Sequence, residues 1–207
     1  MLLLNYISHI CAGIILSFIG SLPFGLINIT TSKISIEKGI KAAIWFALGA
    51  SFVEIIQAYL SITFASLLIK QQAVSQFFQW FSICLFVGLS IYYFFFSKSE
   101  KTVHKGEHIK TGRLLLSGMM ISALNFMVFP YWIFYYSYLK GQELLSFIFP
   151  YTIIFSLGVG LGTFLLLFLY ASFGKKLISK YAVASKYINK IIGMIFLILA
   201  FITFSQI

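Results

Sequence analysis

All five acidic residues of the 207-residue chain are glutamates. Glu37, Glu100, Glu107 and Glu143 lie in or beside polar stretches, whereas Glu54 stands inside the long apolar run from Ile40 to Ile69. If that run crosses a bilayer, an ionised carboxylate there costs ~2.5–3.5 kcal/mol on insertion scales. The neutral acid is then favoured, and reversible protonation is the chemistry the group offers. Ala47, Ala50, Ser51, Gln57, Ala58 and Ser61 recur around Glu54 at separations of three and four. On a helix that spacing gathers one small or polar stripe, which must face protein or water while Ile, Leu and Phe cover the rest.

Two other places combine helix-breaking residues with hydrogen-bonding ones. In Gly20-Ser21-Leu22-Pro23-Phe24-Gly25-Leu26-Ile27-Asn28, Pro23 lacks the N–H that would bond the carbonyl of Ile19. In Asn125-Phe126-Met127-Val128-Phe129-Pro130, Pro130 likewise releases the carbonyl of Phe126. A carbonyl freed inside a membrane needs a partner, so such breaks are tolerated where protein or water supplies one. Two interrupted helices in corresponding places predict a midplane binding site. Its candidate groups are Pro23, Gly25, Asn28, Gln57, Asn125 and Pro130, with Glu54 as the proton-coupling residue. The plainer alternative is that the prolines only kink helices for packing and that Glu54 makes a structural hydrogen bond. Gly158 and Gly162 form a GxxxG face that predicts close helix packing, and Gly49 is assigned to packing with them.

These residues must be positioned by membrane helices. The chain is 60% hydrophobic and only 10% charged, with mean hydropathy +0.98. Its apolar runs are each about the ~20 residues needed to cross ~30 Å of hydrocarbon, and they lack the alternation of barrel strands. Spans are predicted at about 6–31, 40–69, 77–96, 114–139, 144–173 and 187–204. The net charge of +10 is topological. Thirteen of the fifteen basic residues fall in the odd connections (Lys33, Lys38 and Lys41; Lys98 to Arg113; Lys175 to Lys190), leaving Lys70 and Lys140 for the even ones. The positive-inside rule places the odd connections in the cytoplasm and both termini outside. No aromatic-interleaved basic face suggests nucleic acid. No basic head precedes the first run, so it is expected to be retained rather than cleaved as a signal peptide. Cys11 and Cys84 are isolated and are expected to be packed small residues. His104 and His108 fall in a Lys-rich linker and are expected to be solvated, with no metal site.

The polar linker 98–112 separates halves 1–97 and 113–207. Phe46-Ala47-Leu48-Gly49 in the second run is matched by Phe155-Ser156-Leu157-Gly158 in the fifth, 109 residues later. Each half has a proline-bearing first helix, and the halves enter the membrane from opposite sides. The expected fold is an all-α membrane protein, one transmembrane domain over 1–207, with six helices in two inverted-topology three-helix repeats and both termini outside.

At these motifs the chain resembles the LysE/RhtB family of amino-acid exporters. That family has a Pro-Gly-Pro type break in its first helix, a Gly-rich second helix with an acidic residue, and an Asn-Pro break in its fourth. Here Pro23 and Gly25 match without the extra proline, and Gly49 and Glu54 fall where the Gly-rich acidic helix would be. Asn125 keeps the fourth-helix asparagine while Phe126 replaces its proline, and Phe129-Pro130-Tyr131-Trp132 follows as a variant. The resemblance implies a secondary transporter in the cell inner membrane that exports an amino acid or similar small metabolite by proton antiport. It needs no cofactor and is not an enzyme. Its partners would be the solute, protons and the bilayer, with a homo-oligomer left open. Half-helix N-termini would attract the substrate carboxylate, and freed carbonyls with Asn28 or Asn125 would meet its amine. A cadmium-type metal-cation exporter and a non-transporting membrane scaffold are the alternatives.

Overall fold

The computed structural model describes residues 2–22, 25–68, 80, 83–84, 86–88, 90–91, 94–95 and 111–205. Six helices are delimited: α1 (Leu2–Gly20), α2 (Leu26–Lys38), α3 (Ile40–Leu68), α4 (Thr111–Ala123), α5 (Val128–Gly141) and α6 (Tyr151–Phe204). Among the described residues three helices are long and apolar enough to cross a membrane, or four if the pair α4 and α5, bent by 64°, counts as one. The protein is an all-α, multi-pass membrane protein.

Several boundaries differ from expectation for identifiable reasons. The first span is two helices, because α1 stops at Gly20 and α2 starts after Gly25. α2 runs to Lys38 and ends where Gly39 takes φ +88°, a conformation open to glycine, with its N–H on the carbonyl of Ser35. The fifth span starts at Tyr151, not near Leu144. Pro150 sets that start by opening the first turn, where its carbonyl accepts from Ile153 and Ile154. The stretch from Lys175 to Lys190, expected as a connection, is helical and belongs to α6. It contains no proline or glycine to stop a helix, and its lysines and alanines favour one. Pro23, His104 and His108 lie outside the described residues.

The chain divides into two compact units, Met1–Ile62 with His104–Ser179, and Thr63–Val103 with Lys180–Ile207. In the second, Trp80 meets Phe204 edge-on at 6.4 Å, and Gly193 lies against the ring of Phe94. The first unit is inside out relative to a soluble domain. On α1 the buried positions are His9, Gly13 and Ser17, one turn apart, while Leu3, Leu4, Ile7, Ile15 and Ile19 are exposed. On α3 the whole stripe from Ala47 to Ser61 is buried, and Phe52, Ile56, Tyr59 and Leu60 point outward. A surface of that kind suits lipid as the surrounding solvent. Cys11 and Cys84 are free and exposed rather than packed.

At one end of this unit Ile34, Ala43, Phe46, Leu114 and Ala171 form an apolar cluster joining α2, α3, α4 and α6. Lys38, Lys41 and Arg113 flank these positions in sequence, so these three basic residues come to the same end. At the opposite end His9 ties α1 to the loop before α6: its Nε2 lies 2.8 Å from the carbonyl of Ser146, and its ring stacks on Tyr151 at 4.7 Å.

Candidate functional site

Glycines set how closely the helices approach, and they do so twice in the same pattern. A Cβ on Gly13 of α1 would overlap the carbonyl oxygen of Phe155 and press on the amide of Val159, while one on Gly158 of α6 would overlap the carbonyl of Ile10. Gly162 continues this seam against Ile14. Between α3 and α4, Gly118 faces the Phe46 carbonyl and Ala50 amide, and Gly49 faces the Leu115 carbonyl. The α6 positions exceed their α3 counterparts by 109, and the α4 positions exceed their α1 counterparts by 105. Each seam thus presses bare backbone to bare backbone, where packing and weak Cα–H···O contacts replace the hydrophobic effect that lipid cannot supply.

Extended by one turn, the same registers reach the site. Glu54 corresponds to Thr163, and Ser17 to Ser122. Glu54 is only 7% exposed, and its side chain is hydrogen-bonded with that of Thr163. The Thr163 hydroxyl also pairs with that of Ser17 at 2.7 Å. A polar chain therefore runs from α3 through α6 to α1 inside the bundle. Tyr131 of α5 comes near enough to interact electrostatically with Glu54, and its hydroxyl donates to the carbonyl of Leu16 at 2.8 Å. Gly20 makes room for that hydroxyl, which a Cβ there would strike. Tyr135 hydrogen-bonds Tyr131 from the next turn, with ring centroids 4.8 Å apart.

The first break is held by side chains. Asn28, 5% exposed, donates its Nδ2 to the carbonyl of Ser21 at 2.7 Å, and the Tyr170 hydroxyl donates to that of Leu22 at 2.9 Å. Backbone carbonyls at a helix end inside a membrane must be answered from elsewhere, and these two residues answer them. Gly25 is the extended residue preceding α2, and its carbonyl receives the amide of Ile29 at 3.1 Å. α2 then docks on α6 through small groups, with Ser32 donating to the Tyr170 carbonyl at 3.0 Å and Gly174 against Ser32.

The second break lies between Ala123 and Val128, and Asn125 is at its centre, half-buried. Pro130 does not interrupt a helix: it occupies the third position of α5, in the first turn, where an N–H has no intrahelical partner. The Phe126 carbonyl, expected to be free, accepts the amide of Phe129 at 3.3 Å. Gln57 of α3 reaches this break by donating Nε2 to the carbonyl of Ser122 at 3.3 Å, and Ser122 also receives the amide of Asn125 at 2.9 Å.

Ser51 Oγ, Gln57 Oε1, Ser122 Oγ and Trp132 Nε1 are buried without a hydrogen-bond partner among the described residues. Three of the four belong to α3 and α4. Sequence reasoning passed over Thr163, Ser17, Tyr131 and Ser122 as site residues. For Thr163 the signal was present: the 109-residue register of the two Phe-x-Leu-Gly motifs, carried five residues further, lands on it from Glu54. Tyr131 and Tyr170 carried none, since a tyrosine among twelve reads as an interfacial aromatic until its hydroxyl finds a carbonyl.

No curated protein and no solved structure matches the chain. The family model of the LysE type translocator matches residues 18–205, which takes in α2 to α6 and both breaks. The chain therefore belongs to the LysE type translocator family, membrane transporters that export small molecules.

Proposed function

We propose that the protein is a secondary transporter that exports an amino acid or similar small metabolite across the inner membrane in exchange for protons. The carrying observation is the buried Glu54 carboxyl, bonded to Thr163 and within electrostatic reach of Tyr131, whose own hydroxyl reaches the Leu16 carbonyl of α1 ahead of the first break. Among the described residues Glu54 has no cation to pair with, so gaining and losing a proton is the exchange it can perform. Substrate binds beside it between the two breaks, with Gln57 and Asn125 as polar contacts and Gly25 and Asn28 shaping the first break. The geometry supports a structural share for Asn28, whose amide nitrogen is engaged with Ser21.

The chain works as one transmembrane domain of two three-helix repeats in inverted orientation, with both termini outside and the linker 98–112 in the cytoplasm. Support comes from the paired seams, in which α1 meets α6 as α4 meets α3 at constant offsets, and from Lys38, Lys41 and Arg113, which flank one apolar cluster at one end. In such repeats the related elements exchange roles as access alternates. Glu54 and Thr163, related by the repeat and bonded to each other, then sit where that exchange pivots.

Uptake into inside-out vesicles with an imposed pH gradient, screened against an amino-acid panel, tests the reading. Wild type is expected to accumulate a panel member only with the gradient, and Glu54→Gln to lose this. Equal accumulation by both would remove Glu54 from the mechanism. Cysteines placed at Ser99 and Gln142 test topology: an impermeant reagent should label only the second in intact cells.

A further inference from the structure

Comparing the two glycine seams position by position isolates a set of polar atoms with nothing to do. On the α1/α6 side, Ser17 and Thr163 satisfy each other. The α6 residues matching Ser51 and Gln57 are Gly160 and Leu166, which carry no side-chain polar atom. The α3/α4 side instead holds Ser51, Glu54, Gln57 and Ser122, which are 5%, 7%, 5% and 0% exposed. Ser51 Oγ, Gln57 Oε1 and Ser122 Oγ there have no partner among the described residues. Orphaned buried polar atoms each cost free energy, and three of them around one acid call for an occupant.

The atoms say which kind. Gln57 gives an N–H of its amide to the Ser122 carbonyl, and the atom it leaves buried and unpartnered is the oxygen. Every group left over can accept a hydrogen bond, and the one charge on offer is a single carboxylate. On α3, Ser51 and Gln57 flank Glu54 three residues to either side, and side chains lean toward the helix N-terminus, carrying Gln57 back toward Glu54. A hard metal ion would need its oxygens to converge within ~2.3–2.6 Å, and residues spread over about 9 Å of helix rise do not converge so tightly. A group with several N–H donors of its own, set at hydrogen-bond distance from each acceptor, fits that spread.

We propose that the polar end of the α3/α4 seam receives an organic ammonium group, with Glu54 as its counter-charge and Gln57 Oε1, Ser122 Oγ and Ser51 Oγ as its hydrogen-bond acceptors. The inference rests on the export reading and deepens it: the amine of the transported solute is held here, by α3 and α4, rather than by Asn28 at the first break. Ammonium and proton then compete for one carboxyl, and that competition couples the two fluxes.

The test uses the full chain purified in detergent, with ethylammonium chloride as the probe and sodium and potassium chloride at matched ionic strength as the other arms. Thermal midpoint is read against probe concentration, and amino-acid accumulation is measured in vesicles from the same preparation. Ethylammonium is expected to raise the midpoint of wild type beyond either salt. The concentration needed should rise about tenfold in Gln57→Met and about threefold in Ser122→Ala, and the effect should vanish in Glu54→Gln. If Gln57→Met fails to fold, Ser122→Ala and Ser51→Ala carry the comparison. No stabilisation by ethylammonium, equal stabilisation in all variants, or a response specific to sodium would each overturn the proposal. Amino-acid accumulation by wild type without ethylammonium binding overturns this inference alone and leaves export standing. Ethylammonium binding with no amino-acid accumulation upholds the ammonium site and overturns the export reading.

Discussion

The α1/α6 and α3/α4 seams are built by one device and diverge one turn later. Both bring helix backbones together by setting a glycine of each helix against a carbonyl of the other, at positions that keep constant offsets through the chain. Beyond the glycines, the α1/α6 seam closes with a serine–threonine pair, whereas the α3/α4 seam carries an acid, an amide and two serines whose atoms are left partly unmatched. Shared backbone geometry with unlike side chains separates what the bundle needs to assemble from what it holds ready for a ligand. The glycines belong to the first group, and the proposed site puts Glu54 in the second.

That division is open to breakage, and the largest effect should come from the glycines. Gly49→Val and Gly158→Val each place atoms on a backbone carbonyl of the neighbouring helix, which cannot retreat as a flexible side chain would. Overpacking of this kind costs about 3 kcal/mol, a large part of a small protein's stability. Both variants are expected to lose the monodisperse peak in size-exclusion chromatography, to the same degree. Gly141→Ala, with nothing within 4 Å of its Cβ, is the control that should elute as wild type. Survival of one seam variant and not the other would mean that the seams are not equivalent in assembly.

The next effect in size separates the polar ends. Exchanging the matched residues, Glu54→Thr alone should abolish gradient-driven accumulation, and Glu54→Thr with Thr163→Glu should restore part of it, because the carboxyl then occupies the related place. Thr163→Val by itself removes two intramembrane hydrogen bonds, to Glu54 and to Ser17, together worth ~1.2 kcal/mol on average, and should slow exchange about eightfold while leaving the protein folded. A double variant no better than Glu54→Thr would confine the acid's function to α3 and weaken the case for related halves.

Much of this was legible in the residues before any coordinates. The apolar runs, the lone buried glutamate and the stripe around it required only hydropathy and helical periodicity, and α3 starts where the second run was placed. The breaks were visible in the motifs Gly20 to Asn28 and Asn125 to Pro130, but what Pro130 does locally was not. Pro130 reads as a helix interrupter in sequence, yet in space it serves as a first-turn residue, because the bend had already happened at Asn125. The six-span expectation placed a connection at Lys175 to Lys190, where the apolar run ends. Charge marks membrane depth without terminating a helix, and α6 accordingly runs through Lys175 to Lys190. The α1/α6 contact through Gly13 needed the third dimension, since a single glycine in an apolar run has no sequence signature of its own.

A smaller effect concerns Tyr131, which joins the second break to the first. Tyr131→Phe removes the bond to the Leu16 carbonyl and the one shared with the Tyr135 hydroxyl, while keeping the ring against Tyr135 and Trp132. If the two breaks move together, the loss should uncouple them, with gradient-driven accumulation falling about threefold to tenfold and the thermal midpoint changing little. A midpoint drop with unchanged transport would make the bond a packing feature alone.

The smallest expected difference is the most direct reading of the two seams, because it compares one atom at two related places. Ser17 is 1% exposed and its hydroxyl pairs with Thr163, while Ser122 is 0% exposed and its hydroxyl has no partner. Ser17→Ala removes a satisfied bond and strands a threonine hydroxyl that still has Glu54, so it should destabilise the detergent-solubilised protein by about 0.6 kcal/mol. Ser122→Ala removes an unpaired hydroxyl and should leave the ligand-free protein unchanged or slightly more stable, since a buried orphan is a cost. Thermal midpoints of the two variants, taken without substrate, decide it. Should Ser122→Ala prove the more damaging, its hydroxyl already has a partner at rest, and the α3/α4 seam would be as closed as the other.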